Sequence, residues 1–452
     1  YYEQALTILR EIGDRAGEAT TLDNIGRAYD SLGQYEEAIR YYEQGLGIFR
    51  RIGNRAREGA MLESIGGVHY HQGRYMEALT YLGQALEIFQ ETGNLRGESE
   101  TLNGIGLVYD RLGEYEEALS YFRQALAMDQ EIGQRVQKGT MLNDVEFVYY
   151  SLTKDITLNH IGLVYHHRGQ YEEALTYYQQ ALDICQVTGD RAGEGTSLNN
   201  IGGIYQLTGQ YEKALTYYER ALGIRQEIGD RRGEATTLHN IGLGYRSLGQ
   251  CAEALTHYKK ALDIRQEVGD WRGEGISLDA IGSVYSCLRR HEEALAYYKT
   301  ALDIRQEIGD RAGEGVTLNN IGGIYESQGN YVAALGYYEQ ALTMLESVRA
   351  TAGSETGRAS FIAQWTHLYD RAVSLYHTQG QDAAAFDTSE RGRARAFLDT
   401  MATGHVQLYE DEDADQLARE QASYAARRAA QDALAKARAQ QPPNKALVAD
   451  LE

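Results

Sequence analysis

The sequence predicts an all-α fold, in which stacked helical hairpins form an elongated solenoid that a further helical segment follows. Three observations support this prediction. The 40 residues that start at Gly189 recur from Gly309 with 24 positions identical. Apolar residues within each copy return at spacings of three and four. The only two prolines, Pro442 and Pro443, stand near the end of the chain, so no proline interrupts the helices before them.

Each 40-residue block reads as two helices with one apolar face each. In the block that starts at Gly189, the apolar positions form two groups on either side of Gly209: Leu198, Ile201 and Tyr205, then Tyr211, Ala214, Leu215, Tyr218, Ala221 and Leu222. Gly229 suits the left-handed end of the second helix, and Asp230 suits the N-cap of the next helix. One hairpin is too small to bury its apolar stripe alone, so the hairpins are expected to stack.

The repeat array is predicted over residues 1–348. Its blocks begin at Gly13, Gly53, Gly93, Gly133, Gly189, Gly229, Gly269 and Gly309. Residues 349–403 are predicted to form a divergent closing hairpin around Gly380, with Asp387, Arg391, Arg395 and Asp399 spaced for ion pairs within its second helix. Residues 404–452 are predicted to form an acidic linker and an alanine-rich helix, as a helical hairpin or a coiled coil, that leads to a missing downstream domain.

The segment 133–155 is predicted to be a truncated repeat. It matches a first helix and its turn, but a new first helix then starts at once. The equivalent residues Leu142 and Leu158 are only 16 positions apart, so 24 residues and a second helix are missing. Because no glycine or proline lies between Gly139 and Gly162, we expect one long helix or two helices end to end over residues 133–168.

The charge and the cysteine content limit the classes of partner. Lys and Arg number 44 and Asp and Glu 65, which gives a net charge of −21. Such a chain is expected to repel nucleic acids and anionic membranes. The three cysteines show no zinc or disulfide spacing, and no apolar run is long enough to span a membrane. These features predict a cytoplasmic protein that binds neither nucleic acid nor membrane.

The sequence predicts no catalytic, cofactor-binding or metal-binding residues. The pairs His69/His71 and His166/His167 stand one or two positions apart, so on a helix their side chains point to different faces. The glycine runs lie inside the helical period and lack the Lys-Ser/Thr of a phosphate-binding loop. The paired glutamates, such as Glu172 and Glu173, begin second helices, where they suit the helix dipole and solvent.

The residues Leu198, Ile201-Gly202, Tyr205, Gly209, Tyr211, Ala214, Tyr218 and Ala221 resemble the tetratricopeptide repeat (TPR) signature, over about three quarters of the chain. The 40-residue period resembles the long-helix repeats of kinesin light chains. The resemblance implies a right-handed TPR superhelical solenoid. It also implies that Gly202 and Ala214, like Gly322 and Ala334, let the two helices of a hairpin approach closely.

Asparagines recur in the middle of first helices, although asparagine is a poor helix former. They stand just before the Ile-Gly pair at Asn24, Asn200, Asn240 and Asn320, and one position earlier at Asn103, Asn143, Asn159, Asn199 and Asn319. The resemblance places the position before Ile-Gly on the concave face, where an amide can donate to and accept from a peptide backbone. We therefore predict a peptide-binding groove, best equipped over residues 189–330, formed by Asn24, Asn159, Asn199, Asn200, Asn240, Leu243, Arg246, Asn319 and Asn320. The alternative is that duplication of the blocks copied asparagines that have no binding role.

The segment from about residue 355 to residue 440, which contains GRASF, LYDRAV and SERGRARAFLD, resembles the end of the TPR portion of bacterial proteins with a CHAT domain, a caspase-like module. The resemblance implies a caspase-like domain after Glu452 and no catalytic residue within this chain. The expected function is a non-enzymatic scaffold that binds a protein or peptide, with intramolecular contact to the downstream domain as a further expectation. The alternatives are a cargo adaptor of kinesin-light-chain type and a fragment of a caspase-like protease.

Overall fold

The computed structural model describes residues 1–137, 144–351 and 365–403. Within these ranges the chain forms nineteen α-helices joined by short turns and contains no strand, which confirms the predicted all-α solenoid. Residues 1–399 form one compact unit, and a second unit, residues 400–452, is described only at residues 400–403. The predicted acidic linker, alanine-rich helix and coiled coil of residues 404–452 lie outside the described residues.

First helices, with even numbers, alternate with second helices, with odd numbers, and each first helix packs against the second helix that comes after it. None of the described helices combines the length and the apolar character needed to cross a lipid bilayer. The helices are α1 (Tyr2–Ile12), α2 (Arg15–Ser31), α3 (Tyr35–Arg51), α4 (Arg55–His71), α5 (Tyr75–Thr92), α6 (Leu95–Leu112), α7 (Tyr115–Gln137), α8 (Asp144–His167), α9 (Tyr171–Thr188), α10 (Arg191–Leu207), α11 (Tyr211–Glu227), α12 (Arg231–Ser247), α13 (Cys251–Glu267), α14 (Trp271–Cys287), α15 (His291–Ile308), α16 (Arg311–Ser327), α17 (Tyr331–Thr351), α18 (Thr366–Thr378) and α19 (Asp382–Thr403).

The turns between helices follow the predicted chemistry. Gly209 and Gly229 adopt φ values of +74° and +71°, in the left-handed region that glycine enters without steric cost. Asp230 then caps α12, because its Oδ1 accepts a hydrogen bond from the backbone N–H of Gly233 at 2.9 Å. This cap satisfies one of the N–H groups that the first turn of a helix leaves without an intrahelical partner.

Within each hairpin, a glycine of the first helix contacts the side chain sixteen positions later. A Cβ added at Gly202 would lie 2.6 Å from Cε1 of Tyr218, which is too close for any side chain. The Tyr218 ring is what an added Cβ would meet first, and at the equivalent Gly66 such a Cβ would also lie 3.4 Å from the backbone carbonyl oxygen of Ala78, the counterpart of Ala214. Helical side chains lean toward the N-terminus, so the Tyr218 ring covers the turn that contains Ala214. Equivalent pairs are Gly26–Tyr42, Gly66–Leu82, Gly106–Phe122, Gly162–Tyr178, Gly242–Tyr258, Gly282–Tyr298 and Gly322–Tyr338.

A stacked ring pair also joins the two helices of each hairpin. Tyr205 stacks on Tyr217 with ring centroids 5.4 Å apart. Histidine replaces one tyrosine in two hairpins, where His69 stacks on Tyr81 and Tyr245 stacks on His257. His69 is buried as expected for a core residue, but its Nδ1 has no hydrogen-bond partner among the described residues. The other pairs are Tyr29–Tyr41, Tyr109–Tyr121, Tyr165–Tyr177, Tyr285–Tyr297 and Tyr325–Tyr337.

The truncated repeat does not form a hairpin in its described part. Helix α7 continues through residue 133 to Gln137, and residues 144–167 form the single helix α8, while 138–143 lie outside the described residues. Thr153, which replaces the turn glycine, is therefore helical. Helix α8 packs beside α6 as the next first helix, and the amide of Asn103 donates to Oγ1 of Thr157 at 2.9 Å.

The closing hairpin is held to the array by ion pairs. Gly380 forms its turn with φ +68°, as predicted. Arg391 was expected to pair within its own helix, but its guanidinium instead lies 3.2 Å from Glu339 and 3.0 Å from Glu346, both on α17. The side chain of Arg391 is only about one quarter exposed, and α17 brings two carboxylates to it. These carboxylates bind Arg391 in preference to Asp387, which is exposed one turn earlier on the same helix.

Candidate functional site

The first helices of the second half of the array present an uncharged strip to solvent. On each of α8, α10, α12, α14 and α16, three residues at spacings of four and three remain exposed or half-buried. We call this surface the first-helix strip. It consists of Ile156, His160 and Leu163; Thr196, Asn200 and Gly203; Thr236, Asn240 and Leu243; Ile276, Ala280 and Ser283; and Val316, Asn320 and Gly323.

The strip stays uncharged at neutral pH. Its only titratable member is His160, and burial lowers the pKa of that imidazole to about 4, so the ring is neutral. The corresponding positions of α2 and α6 carry Arg27 and Glu100. An uncharged surface of this length is notable in a chain with a net charge of −21.

Two of the three asparagines of the strip bind the preceding repeat. Nδ2 of Asn200 donates a hydrogen bond to Oδ1 of Asn159 at 3.1 Å, and Nδ2 of Asn240 donates to Oδ1 of Asn199 at 2.9 Å. Each contact joins residues 41 positions apart, which is one period plus one residue. Asn200 and Asn240 thus form an asparagine ladder with Asn159 and Asn199 between successive first helices.

The position before the strip asparagine completes the ladder. Asn159 is buried, and its Nδ2 donates to the backbone carbonyl of Asp155 and to Oγ of Ser197, both at 3.0 Å. Oδ1 of Asn199 also accepts from Oγ1 of Thr237 at 3.5 Å. The structure therefore assigns Asn159 and Asn199 to inter-repeat contacts. Burying such amides is favourable only when they are hydrogen-bonded, as they are here.

Part of the ladder remains available to a ligand. Asn200 and Asn240 are half-buried, each uses one amide proton in the ladder, and neither Oδ1 has a hydrogen-bond partner in the described chain. Each amide can thus still accept, and donate its second proton. Asn24 and Asn320 are also half-buried, and the structure shows no side-chain hydrogen bond for either within the described residues. Oδ1 of Asn319 is buried without a partner there.

Leu243 and Arg246 take different places. Leu243 lies half-buried on the strip, one turn after Asn240. Arg246 is half-buried too, but its Nη1 donates to Oγ of Ser283 on α14 at 2.7 Å. Arg246 therefore joins α12 to α14. The structure brings Asn159, Asn199, Asn200 and Asn240 together, whereas Asn24 lies on α2, outside this ladder.

Sequence reasoning missed the hydroxyl residues that accompany the ladder. They stand two positions before the first asparagine of each pair, and Thr157, Ser197, Thr237, Ser277 and Thr317 are all buried. Thr317 donates to the carboxylate of Asp279 at 3.1 Å, as Ser197 contacts Asn159. The signal was present in the sequence, because a hydroxyl residue recurs there in seven of the eight first helices from α2 to α16.

The array also contacts itself across a long sequence separation. The guanidinium of Arg232, at the start of α12, donates a hydrogen bond to the backbone carbonyl of Ser31, at the end of α2. A Cβ at Gly269 would lie 3.9 Å from Leu32. In a solenoid, contacts normally reach only the neighbouring repeats. These contacts therefore close one superhelical turn between the first and later repeats.

Comparison with known proteins agrees with this architecture. The family model described as "Tetratricopeptide repeat" matches residues 1–51, 57–131, 154–227, 195–267, 233–307 and 274–347. No curated protein matches the chain.

Solved structures are similar to this chain at low sequence identity. The apo form of the quorum sensor NprR from B. thuringiensis is 17% identical, with 75% of this chain and 99% of that chain covered and a TM-score of 0.51. A Rap protein complexed with Competence and Sporulation Factor is 16% identical, with coverages of 84% and 99% and a TM-score of 0.47. A putative kinesin light chain from Podosopora anserina with nearly identical TPR-like repeats is 17% identical, with coverages of 42% and 93% and a TM-score of 0.36.

The family model covers more than half of the chain, and its matched ranges coincide with the hairpins α1–α7 and α8–α17. Contacts of a first-helix glycine with a tyrosine, phenylalanine or leucine of the second helix recur in these ranges, as do left-handed glycine turns. The blocks keep the 40-residue register on either side of the truncated repeat. The chain belongs to the tetratricopeptide repeat family.

Proposed function

We propose that this chain is a protein-interaction scaffold whose first-helix strip binds an extended peptide segment of a partner. The observation that carries the proposal is the free hydrogen-bonding capacity of Asn200 and Asn240, which are held in register by the ladder but keep an unpaired Oδ1 and a second amide proton. A side chain that can both donate and accept matches a peptide backbone, which does the same. Holding the amides in place beforehand reduces the entropy lost on binding.

The remaining strip residues define the chemistry of the ligand. Ile156 and Ile276 are exposed and Leu243 is half-buried, so they offer apolar contacts beside the amides. The strip residues themselves carry no charge, and the adjacent guanidinium of Arg246 is hydrogen-bonded to Ser283. The part of the ligand that contacts the strip is therefore expected to be uncharged, because an unpaired charge would be costly to desolvate there. The net charge of −21 favours basic flanking residues on the partner.

A second, more specific part of the proposal concerns the kind of protein that contains this chain. We propose that the chain is the sensor or regulatory part of a larger bacterial CHAT-type protein, and that the array contacts a caspase-like domain after residue 452. The resemblance of the segment SERGRARAFLD supports this, as does the attachment of the closing hairpin through Arg371 to Glu326 and Arg391 to α17, which would couple the array to a downstream domain. The alternatives are a kinesin-light-chain-type cargo adaptor and a fragment of a caspase-like protease. Sequencing beyond Glu452 for a caspase-like His and Cys distinguishes them.

The groove is tested by selecting peptides from a library of random linear sequences displayed on phage and measuring the affinity of the selected peptides for two variants. Gly203 lies on the strip, and a Cβ there would meet only the Tyr218 hydroxyl, at 3.9 Å. Gly203→Glu therefore places a charged side chain on the strip without disturbing the core. Gly223, exposed on α11 with nothing within 4 Å of an added Cβ, is the matched control.

We expect Gly203→Glu to weaken binding of the selected peptides by at least about tenfold, since a carboxylate would be desolvated in the complex, while Gly223→Glu binds as the wild type does. Circular dichroism confirms that both variants fold. Equal affinities for the two variants, or selection of no peptide, would show that the strip is not the binding surface.

A further inference from the structure

A thiol and two carboxylates converge where α8, α9 and α10 meet. Asp155 lies on α8, Cys185 on α9, and Asp190 is the N-cap of α10. Cys185 Sγ and one oxygen of each carboxylate lie within 4.8 Å of one another. Asp155 and Cys185 are each only 1% exposed, whereas Asp190 is half-buried and opens the cluster toward solvent.

The buried carboxylate of Asp155 lacks compensation. Neither of its oxygens has a hydrogen-bond partner in the described part of the chain. A buried carboxylate without a partner is costly, and proteins resolve this by pairing it, protonating it or binding a cation.

The other repeats show that these residue types are special to this position. The counterparts of Asp155 are Ala19, Gly59, Ser99, Gly195, Ala235, Gly275 and Gly315, none of them acidic. The counterparts of Cys185 are Leu9, Phe49, Phe89, Asp129, Arg225, Arg265, Arg305 and Leu345, none of them a thiol. Most of these pairs place a small residue against a large one, which fills the core. The pair of Asp155 with Cys185 instead directs two metal-binding side chains at each other.

Two local features leave room between the three side chains. A Cβ at Gly193 would lie 2.6 Å from both Asp155 Oδ2 and Cys185 Sγ, and also in contact with Asp190 Oδ2, so the glycine keeps a side chain out of the point toward which all three converge. The side chain of Asp190 also caps its helix in a different way from the other first-helix caps. Its Oδ1 accepts from the N–H of Ala192, two residues later, at 3.0 Å. The six other side-chain caps of first helices accept from the residue three positions later.

We propose that Asp155, Cys185 and Asp190 bind a divalent cation of the Zn²⁺ class. A thiolate selects borderline or soft cations over Mg²⁺ and Ca²⁺, and carboxylates complete a ligand set that Zn²⁺ accepts, with water in the fourth position. The three atoms lie no more than 4.8 Å apart, so each is at most about 2.8 Å from a common centre, and inward shifts of no more than about 0.5–0.8 Å would reach the 2.0–2.3 Å bonds of Zn²⁺. Binding releases the thiol proton, and that of Asp155 where it is protonated, to solvent.

Such an ion would join three helices directly after the truncated repeat. Helix α8 is the first helix after residues 138–143, and it packs on both α9 and α10. A cation held by α8, α9 and the start of α10 would fix the register in which the regular 40-residue blocks resume. The proposal concerns stability of this junction and does not depend on the peptide-binding strip.

The test uses the full chain with Cys251→Ser and Cys287→Ser, so that Cys185 is the only thiol, and Co²⁺ as a spectroscopic probe. We expect stoichiometric Co²⁺ binding with thiolate-to-cobalt charge-transfer absorption in the near ultraviolet, displaced by Zn²⁺ but not by Mg²⁺. Cys185→Ser should abolish the band. Asp155→Ser, which introduces the residue type of Ser99, should weaken Co²⁺ binding by about tenfold or more. Asp230→Asn, at the matched cap of α12, should leave it unchanged.

A second readout separates a metal site from a buried thiol–carboxyl contact. Zn²⁺ should raise the unfolding midpoint of the parent protein and not that of Cys185→Ser or Asp155→Ser, because a cation that binds only the folded state stabilises it. Circular dichroism establishes that each variant is folded. Absence of the charge-transfer band with excess Co²⁺, or a band that persists in Cys185→Ser or is equally strong in Asp155→Ser, overturns the proposal.

Discussion

Arg232 donates a hydrogen bond to the backbone carbonyl of Ser31, a residue 201 positions earlier in the chain. Arg232 is exposed at the start of α12, and Ser31 is the last residue of α2. This hydrogen bond and the nearby Leu32 join α2 to later repeats across one superhelical turn, whereas the helix pairs with the most extensive contacts in the array are neighbours. The contact limits how far the array can open around a ligand.

We expect Arg232→Ala to open the turn without unfolding the protein. Loss of one exposed hydrogen bond should change the free energy of unfolding by no more than about 1 kcal/mol. Spin labels placed on α2 and α12 should report a longer and broader distance distribution. Arg231→Ala is the control, because the ion pairs of Arg231 are with Glu234 on α12 itself and with Glu267 on the next helix, α13. Identical distributions in Arg232→Ala and the parent would contradict a role in closure.

The asparagine ladder predicts a measurable coupling between repeats. Asn240→Ala removes the 2.9 Å hydrogen bond to Asn199, so a double-mutant cycle of Asn199 and Asn240 should give a coupling energy of about 0.5–1.5 kcal/mol in chemical denaturation. Because alanine is the better helix former, each single substitution should lower the free energy of unfolding by less than the coupling energy. Both alanine variants should also weaken peptide binding if the strip is the groove.

The control cycle pairs Asn199 with Asn320, which lie on α10 and α16 and share no hydrogen bond. Their substitutions should add within about 0.5 kcal/mol. Equal coupling in the two cycles would mean that the ladder contacts do not contribute to stability.

The sequence was sufficient for the hairpins because their determinants are local. The spacing of Leu198, Ile201 and Tyr205, the left-handed turn at Gly209 and the cap at Asp230 each act within one block, and repetition strengthens each signal. The contact of Gly202 with the Tyr218 ring was not predicted, since the spacing indicates which residues share a face but not how far a ring extends.

The roles of the asparagines could not be read from one block. Whether Asn200 contacts solvent or Asn159 depends on how adjacent first helices stack, and this offset is set by packing between blocks. A spacing of 41 residues between paired asparagines was visible in the sequence, but a period of 40 alone does not show that such residues meet. The contact of Arg232 with Ser31 depends on the superhelical pitch, which sums small rotations over several repeats.

Glu63 predicts a pH dependence of stability. Burial, reinforced by Glu100, raises the pKa of Glu63 from 4.5 to about 7, although the Thr101 hydroxyl hydrogen-bonds to it. Between these two pH values the folded state holds a proton that the unfolded chain has released, so the stabilisation is complete below pH 4.5 and is lost as the pH rises through 7. Glu63→Gln, which imitates the protonated form, should therefore unfold at higher denaturant than the wild type at pH 8 and at nearly the same denaturant at low pH.

The measurement is the unfolding midpoint of both proteins across this pH range. Glu172→Gln serves as the control, because Glu172 is exposed at the start of α9, so its substitution should change the midpoint little. A constant difference between Glu63→Gln and the wild type would show that Glu63 does not titrate in this range.

The glycine of the first helix should be intolerant of any larger residue. A Cβ at Gly322 would collide with the Tyr338 ring, which is fully buried, so Gly322→Leu should lower the free energy of unfolding by about 1–3 kcal/mol or more. Gly336, in the second helix of the same hairpin, is exposed and has nothing within 4 Å of an added Cβ. Gly336→Leu should instead stabilise the protein by up to about 1 kcal/mol, because leucine is the better helix former. The two variants thus carry the same substitution with opposite expected signs in chemical denaturation, and equal midpoints would refute the assignment of Gly322 to the helix–ring contact.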